Sequence, residues 1–486
     1  MSNYSDYTTD CSGSAEAPTY YNLGEDMATG DLIRLVDSVS GTEAMRISVP
    51  YSLGSTHTFT TSEIDWPYTV YEPTANKTVV FYTYDSGNIG RVQILTVDDG
   101  DITSGTMVVF NPSDTYHMSA DFDSDTYKVI VSYYDLDATD GKCLVGTVVT
   151  DSISFGTEAT FNTSESLYTT TIYDPNSSKV VIAYRDGGDN DYGKAIVGTV
   201  SGTTISFGTP VTFNAADTEH ITGVFDTSTN KIVLAYEDKG NGGFGTAIVG
   251  TVSGDTISFG SETAFSSDFT YSKAVFDSNS NKVVVVYKCI TGPNYEGKAI
   301  AGTVSGTSVS FGSEFIFFTS TSQFYNIGAC FDSSANKVVI THNNSSTRGQ
   351  IVVGSLSPSE DLITFEDSVP FGTANVASAS PSFDTAAEKV VIAWDGVSVS
   401  DGFASTFAPS SAVANRSEVF GVLQASGTIG QNREVVLACK TSTVHTGQTP
   451  GEIAYVQSDG SYSSTVTEFP IGRYLSTTEL LVTKAP

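Results

Sequence analysis

The sequence predicts an all-β protein: a seven-bladed β-propeller of four-stranded blades about 51 residues long, plus a small β-rich module from the two chain ends. Three observations predict it. A pattern of an aromatic, an acid, four turn-like residues and a Lys before an apolar run recurs at 173–184 (YDPNSSKVVIAY), 225–236 (FDTSTNKIVLAY) and 276–287 (FDSNSNKVVVVY). Its lysine returns as Lys77, Lys128, Lys179, Lys231, Lys282, Lys337 and Lys389, at intervals of 51 to 55 residues. Finally, a segment with the pattern of a blade's last strand stands before the first complete repeat and is missing from the seventh.

Each repeat offers four strand-like pieces, clearest in the third copy at 168–173, 179–184, 194–200 and 205–213. The second and third (VVIAY, AIVGTV) are nearly continuous in apolar and β-branched residues, as in strands covered on both faces. The fourth alternates more and is expected outermost. Between first and second, the acid (Glu72, Asp123, Asp174, Asp226, Asp277, Asp332, Asp384) stands where its carboxylate can accept backbone N–H bonds. Sevenfold recurrence marks it as a turn constraint and not as a catalytic or metal-binding group. The lysines are expected to open the second strand and to pair with nearby acids at modest gain. Ser201-Gly202 and Ser253-Gly254 suit tight hairpins between third and fourth strands.

The phase of the repeat fixes how the ring closes. The fourth piece begins at Tyr51, Ile102, Ile153, Ile205, Ile257, Val309 and Ile363 and ends eight residues later in Phe. The first of these precedes the first complete repeat, so it is expected to complete the last blade and to cover the edge an open array would expose. Domains follow: an N-terminal flank at 1–47, the propeller at 48–410 and a C-terminal β module at 411–486. The flanks carry strand patterns at 32–36, 44–47, 419–424, 433–440, 453–457 and 480–483. Ring closure brings both flanks out together, so they are expected to form one module; two independent tails, with residues 1–20 ordered by a partner, are the alternative.

The 486 residues carry 23 Lys and Arg against 55 Asp and Glu, a formal net charge of -32, which disfavours nucleic acid and anionic membrane as partners. No apolar run approaches membrane-spanning length. Residues 1–9 are polar and acidic, unlike a secretory signal. Cys11, Cys143, Cys289, Cys330 and Cys439 lie far apart without zinc-site spacing and read as mostly buried thiols of a chain made in a reducing cytoplasm.

Catalytic signatures are absent. There is no GxSxG elbow, HExxH pair or phosphate loop, and the repeat region's arginines, Arg91, Arg185 and Arg348, are scattered where a sialidase-like site would need a cluster. No cofactor is expected apart from calcium, for which Asp135, Asp137 and Asp140, and Asp186, Asp189 and Asp191, offer closely spaced carboxylates; solvated acidic loops are the plainer reading. A sharper constellation stands eleven residues before each repeated Lys: Trp66, His117, Tyr168, His220, Tyr271, Asn326 and Ser378. Ring symmetry would gather these at one mouth of the central channel, where flat rings with polar edges suit stacking on sugars. The competing expectation is that they wedge between blades.

The repeat FDxxxxKVVIAY, followed by GKAIVGTVSGTTISFG, resembles propeller repeats in structural proteins of tailed bacteriophages, particularly of marine and cyanobacterial hosts. The segments 455–460 (YVQSDG), 463–465 and 472–482 (GRYLSTTELLV) resemble a terminal module of tail-fibre and head-associated proteins, and 28–36 (ATGDLIRLV) resembles its opening strand. At that module's usual small-residue run this chain has REVVLACK, a departure. The resemblance implies a non-enzymatic virion protein, oligomeric in the particle and attached to other virion proteins by the terminal module. A tail-fibre-like or surface-displayed role in recognising a host glycan or protein is the expectation. Capsid decoration or a tail structural role without receptor binding is the alternative, and a glycan-processing enzyme the third.

Overall fold

The computed structural model describes residues 51–409 except 85–86, 292–293, 323, 325, 344–347, 358–360, 367, 373–375 and 397–400, together with the strand backbones of the flanks. Among the described residues regular structure is all β apart from one short 3-10 turn, Lys239–Asn241. The chain divides into two compact units, 53–408 and the joined segments 1–52 and 409–486.

Within 53–408, each repeat folds as an antiparallel sheet. In the third, Ser166–Asp174, Lys179–Asp186, Tyr192–Ser201 and Thr204–Phe207 pair in chain order. Val180, Val181, Ile182, Ala183 and Tyr184 are all fully buried, because both faces of this strand are covered. One core cluster combines Ile172, Val181 and Val197 of the third repeat with Ile232, Leu234 and Ile248 of the fourth. The sheets thus bury their faces against one another, at roughly 1.5 to 3 kcal/mol per large aliphatic side chain.

The seven acids make the turns as expected. Asp174 Oδ1 accepts the N–H groups of Asn176 (2.9 Å) and Ser177 (3.2 Å), Asp277 Oδ1 those of Asn279 and Ser280, and Glu72 uses both oxygens on Thr74 and Ala75. The residue before each lysine holds a left-handed backbone, from Asn76 (φ 55°) to Glu388 (φ 51°), which explains why Asn fills four of the seven positions. The lysines reach further than their own repeat: Lys77 pairs with Asp151 at 2.9 Å and Lys179 with Asp255 at 2.8 Å, each on the outer hairpin of the following sheet.

The fourth strand differs from the expectation of a single piece. In most repeats it breaks into two strands, such as Ser152–Phe155 and Ala159–Asn162, both paired with the third strand, whereas in the fifth it runs on as Ser308–Ser320. Glycine at the break explains this, for a Cβ on Gly208 would lie 1.9 Å from the carbonyl oxygen of Asp255, so the chain kinks where it touches the next sheet. In two repeats the second piece runs straight on into the following sheet, as Val108–Asp123 and Val211–Asp226.

The segment ahead of the first repeat pairs at the far end of the unit. His57–Thr60 lies antiparallel to Gly402–Pro409, and Gly54 N donates to Thr406 O at 2.7 Å. The first strands of the repeats also touch in cyclic order, 376–384 meeting 64–72. Side-chain hydroxyls stitch them: Thr171 N donates to Ser119 Oγ (2.9 Å), Ala274 N to Thr222 Oγ1 (2.9 Å) and Thr69 N to Ser380 Oγ (3.0 Å).

In the other unit, strands from both chain ends pair. Tyr20–Leu23 runs antiparallel to Asn432–Val436 and Leu32–Ser38 to Gly421–Leu423, while Ala438–Lys440, Ile453–Val456, Tyr462–Ser463, Pro470–Ser476 and Glu479–Val482 form a further sheet. Cys143 and Cys289 are buried thiols; Cys11 and Cys439 lie outside the residues whose side chains are described.

Candidate functional site

The site is built on a backbone irregularity that the first strands of five repeats share. Opposite a fully buried tyrosine, such as Tyr133, Tyr184, Tyr236 or Tyr287, two residues of the first strand face one, a β-bulge. The leading bulge residue adopts a left-handed conformation: Trp66 (φ 49°), His117 (50°), Tyr168 (52°), His220 (49°) and Tyr271 (44°), with Asn326 (58°) at the equivalent place. Such a backbone disfavours any side chain larger than glycine, yet glycine stands at none of these positions. The bulge turns the side chain into a space that the first strands share. Six of the seven residues that share this spacing therefore line one cavity of about 440 Å³.

Ser378 is the exception. In the seventh repeat residues 377 and 378 bulge against Asp395, and Ser378 does not take the left-handed backbone of the other six. Ser378 is buried, its N–H donating to Asp395 Oδ1 (2.6 Å) and its hydroxyl to Oδ2 (2.8 Å). Burial raises the Asp395 carboxyl to about 6 despite those bonds.

The rings contact one another in series, His117 and Tyr168 edge to face with centroids 4.9 Å apart, Tyr168 and His220 tilted at 5.0 Å, and His220 and Tyr271 tilted at 4.9 Å. Trp66 packs on Tyr116 at 5.8 Å and keeps 49% of its surface exposed. The rings contact their neighbours and still line the cavity. Burial lowers the His117 and His220 imidazoles to about 4, so both are neutral at pH 7. Burial likewise raises the Tyr168 hydroxyl to about 12.

A second tier lies two residues further along each first strand, and the sequence reading missed it. Its members include Tyr68, Thr170, Thr222, Lys273 and Ser380, which line a deeper cavity of about 90 Å³. The available signal was the column at that offset, small or hydroxylic except for Tyr68 and Lys273. Those two meet, Lys273 Nζ standing 4.4 Å from the centre of the Tyr68 ring.

The acidic loops do not gather their carboxylates on one point. Asp186 and Asp189 both close on Lys194 Nζ (2.8 and 2.7 Å), Asp191 pairs with Arg185 (2.8 Å) and Asp140 with Lys142 (3.2 Å). Asp135 accepts the N–H of Ala138, closing its own turn; Asp137 is exposed in that same turn. Among the described residues one group of three metal-type ligands converges: Glu219, His220 and Glu237. A lysine ammonium already holds it, Lys239 Nζ lying 2.6 Å from Glu237 and 3.2 Å from Glu219, with Arg185 3.4 Å from Glu219. That donor set fits an internal cation better than a metal ion.

No protein-family model matches the chain, and no curated protein does. Among solved structures the chain is similar to the periplasmic gluconolactonase PpgL of Pseudomonas aeruginosa, at 14% identity and a TM-score of 0.47, over 73% of this chain and 97% of that one. It is also similar to a triple arginine-to-alanine variant of AofleA from Arthrobotrys oligospora, at 10% identity and a TM-score of 0.41, over 69% of this chain and 94% of that one.

Proposed function

We propose that the 53–408 unit is a seven-bladed β-propeller whose axial cavity binds a saccharide without transforming it. The observation that carries this reading is the ring of large residues held in a left-handed backbone around one cavity. Backbone strain of roughly 1 to 3 kcal/mol at each such residue is typical of sites where side-chain placement serves a ligand. The volume lies within the usual range of small-molecule pockets, and flat rings with polar edges are suited to sugar faces. Binding is favoured over turnover because the carboxylates beside His220, Glu219 and Glu237, are held by Lys239 and Arg185.

The setting we propose is a tailed-phage particle, with the module of the two chain ends attaching to other virion proteins and the propeller displayed for host-surface recognition. That setting rests on the sequence resemblance alone. Locating the chain by cryo-electron microscopy of purified particles tests it. For the binding role, a glycan array probed with the full chain is expected to give saccharide hits that weaken at least tenfold in Tyr168→Ala. An empty array would overturn the role and favour capsid decoration, and product formation from a bound glycan would favour the enzyme.

A further inference from the structure

The cavity is electrostatically unlike the rest of the chain. Acids outnumber bases 55 to 23 overall, yet neither the rim cavity nor the deeper one has an Asp or Glu in its lining. One charged side chain lines both, Lys273. Its ammonium rests on the Tyr68 ring, and among the described residues no carboxylate lies within ion-pair distance of it. The carboxylates next to His220, Glu219 and Glu237, make their ion pairs with Lys239 and Arg185 and, among the described residues, none with Lys273. A second ammonium, that of Lys288, lies under Tyr271 at 4.2 Å from the ring centre and donates to Phe324 O at 3.2 Å.

An ammonium in a partly enclosed cavity without an acidic neighbour acts on an anion with little screening. The neutral imidazoles of His117 and His220 add hydrogen-bonding edges and no charge. Hydroxyls of the second tier, Thr170 among them, face the same deeper space. Resting on the saccharide reading above, we propose that the cavity selects an acidic saccharide, seating a sugar carboxylate on Lys273 while the rim rings stack on the sugar faces.

The test is a panel that presents each acidic glycan beside its carboxyl-reduced, neutral counterpart, titrated against the full chain at low ionic strength. Acidic members are expected to bind at least tenfold more tightly than their reduced partners. Lys273→Met should erase the difference, Lys273→Arg should keep most of it, and circular dichroism should report both variants folded. Hits confined to neutral glycans, or an acidic preference that survives in folded Lys273→Met, would overturn this proposal and leave the saccharide reading standing. A panel with no hit at all would remove the saccharide reading and this proposal with it.

Discussion

Each first strand of the 53–408 unit has two ends, and they conserve different things. At the turn end the side chain is constant: an acid, buried, accepting the same two backbone N–H groups in every repeat. At the rim end the backbone is constant, φ lying between 44° and 58° at six positions, while the side chain varies from Trp to His, Tyr and Asn. A turn that needs its own carboxylate leaves no freedom to the residue. A bulge defined by the ladder around it leaves the side chain open to selection by a ligand. The framework end should therefore be costly to alter and the rim end nearly free, in stability.

The largest effect is expected from Asp226→Ala. Asp226 Oδ1 accepts from Ser228 N (2.8 Å) and Thr229 N (3.2 Å), and its other oxygen accepts from Thr229 Oγ1 (2.8 Å). Loss of these charge-assisted bonds at a buried carboxylate should cost about 3 kcal/mol. Thermal unfolding is expected to shift down by roughly 5 °C, and Asp226→Asn, which keeps one acceptor, by less than half of that. Equal melting temperatures for Asp226→Ala and the parent would break the distinction between the two ends.

A position between the two ends sharpens it. The last apolar place of the second strand is Tyr82, Tyr133, Tyr184, Tyr236 or Tyr287 in five repeats and Trp394 in the seventh, but His342 in the sixth. His342 is buried against Phe317, Phe318 and Phe324, its Nδ1–H donates to Asn343 O at 2.8 Å, and among the described residues its Nε2 has no hydrogen-bond partner. Burial lowers this imidazole to about 4, against about 6.5 in the unfolded chain. Below pH 6.5 the unfolded state takes up the proton first, so stability is intact above that pH and falls as pH drops toward 4. His117 and His220 act in the same direction, while Asp121 and Asp395, raised to about 6 chiefly by burial, act in the opposite one. Comparing the parent with His342→Phe isolates the one group. By pH 4.5 the parent should have lost about 2 kcal/mol more than the variant, read from urea unfolding at pH 7.5 and 4.5. Parallel losses in both proteins would mean that His342 is not a buried neutral base.

The same contrast explains what the sequence made legible. The turn acids, the buried second strand and the early strand that pairs with Gly402–Pro409 were readable because each follows from a residue type with one structural use. The rim spacing was readable too, as a column of rings. What stayed hidden depended on neighbouring strands: the bulge that sets Ser378 against Asp395, and the glycine kink that splits the fourth strand at Gly208. Both are set by contacts with a neighbouring strand or sheet, which no single repeat encodes. Lys273 escaped for a related reason, since its place in the cavity follows only from being two residues past a bulge.

The smallest effect on stability should come from Trp66→Gly. Glycine accepts the left-handed backbone at no steric cost, which should return about 1 to 2 kcal/mol. Against that stand the added freedom of the unfolded chain and the lost packing on Tyr116, each worth about 1 kcal/mol, with Trp66 already 49% exposed. The terms oppose one another, so the melting temperature should move by no more than about 2 °C while glycan affinity drops at least tenfold. A large destabilisation would make Trp66 a packing residue like those of the framework. An unchanged melt with unchanged affinity would instead remove it from the binding surface and leave its strained backbone without a use.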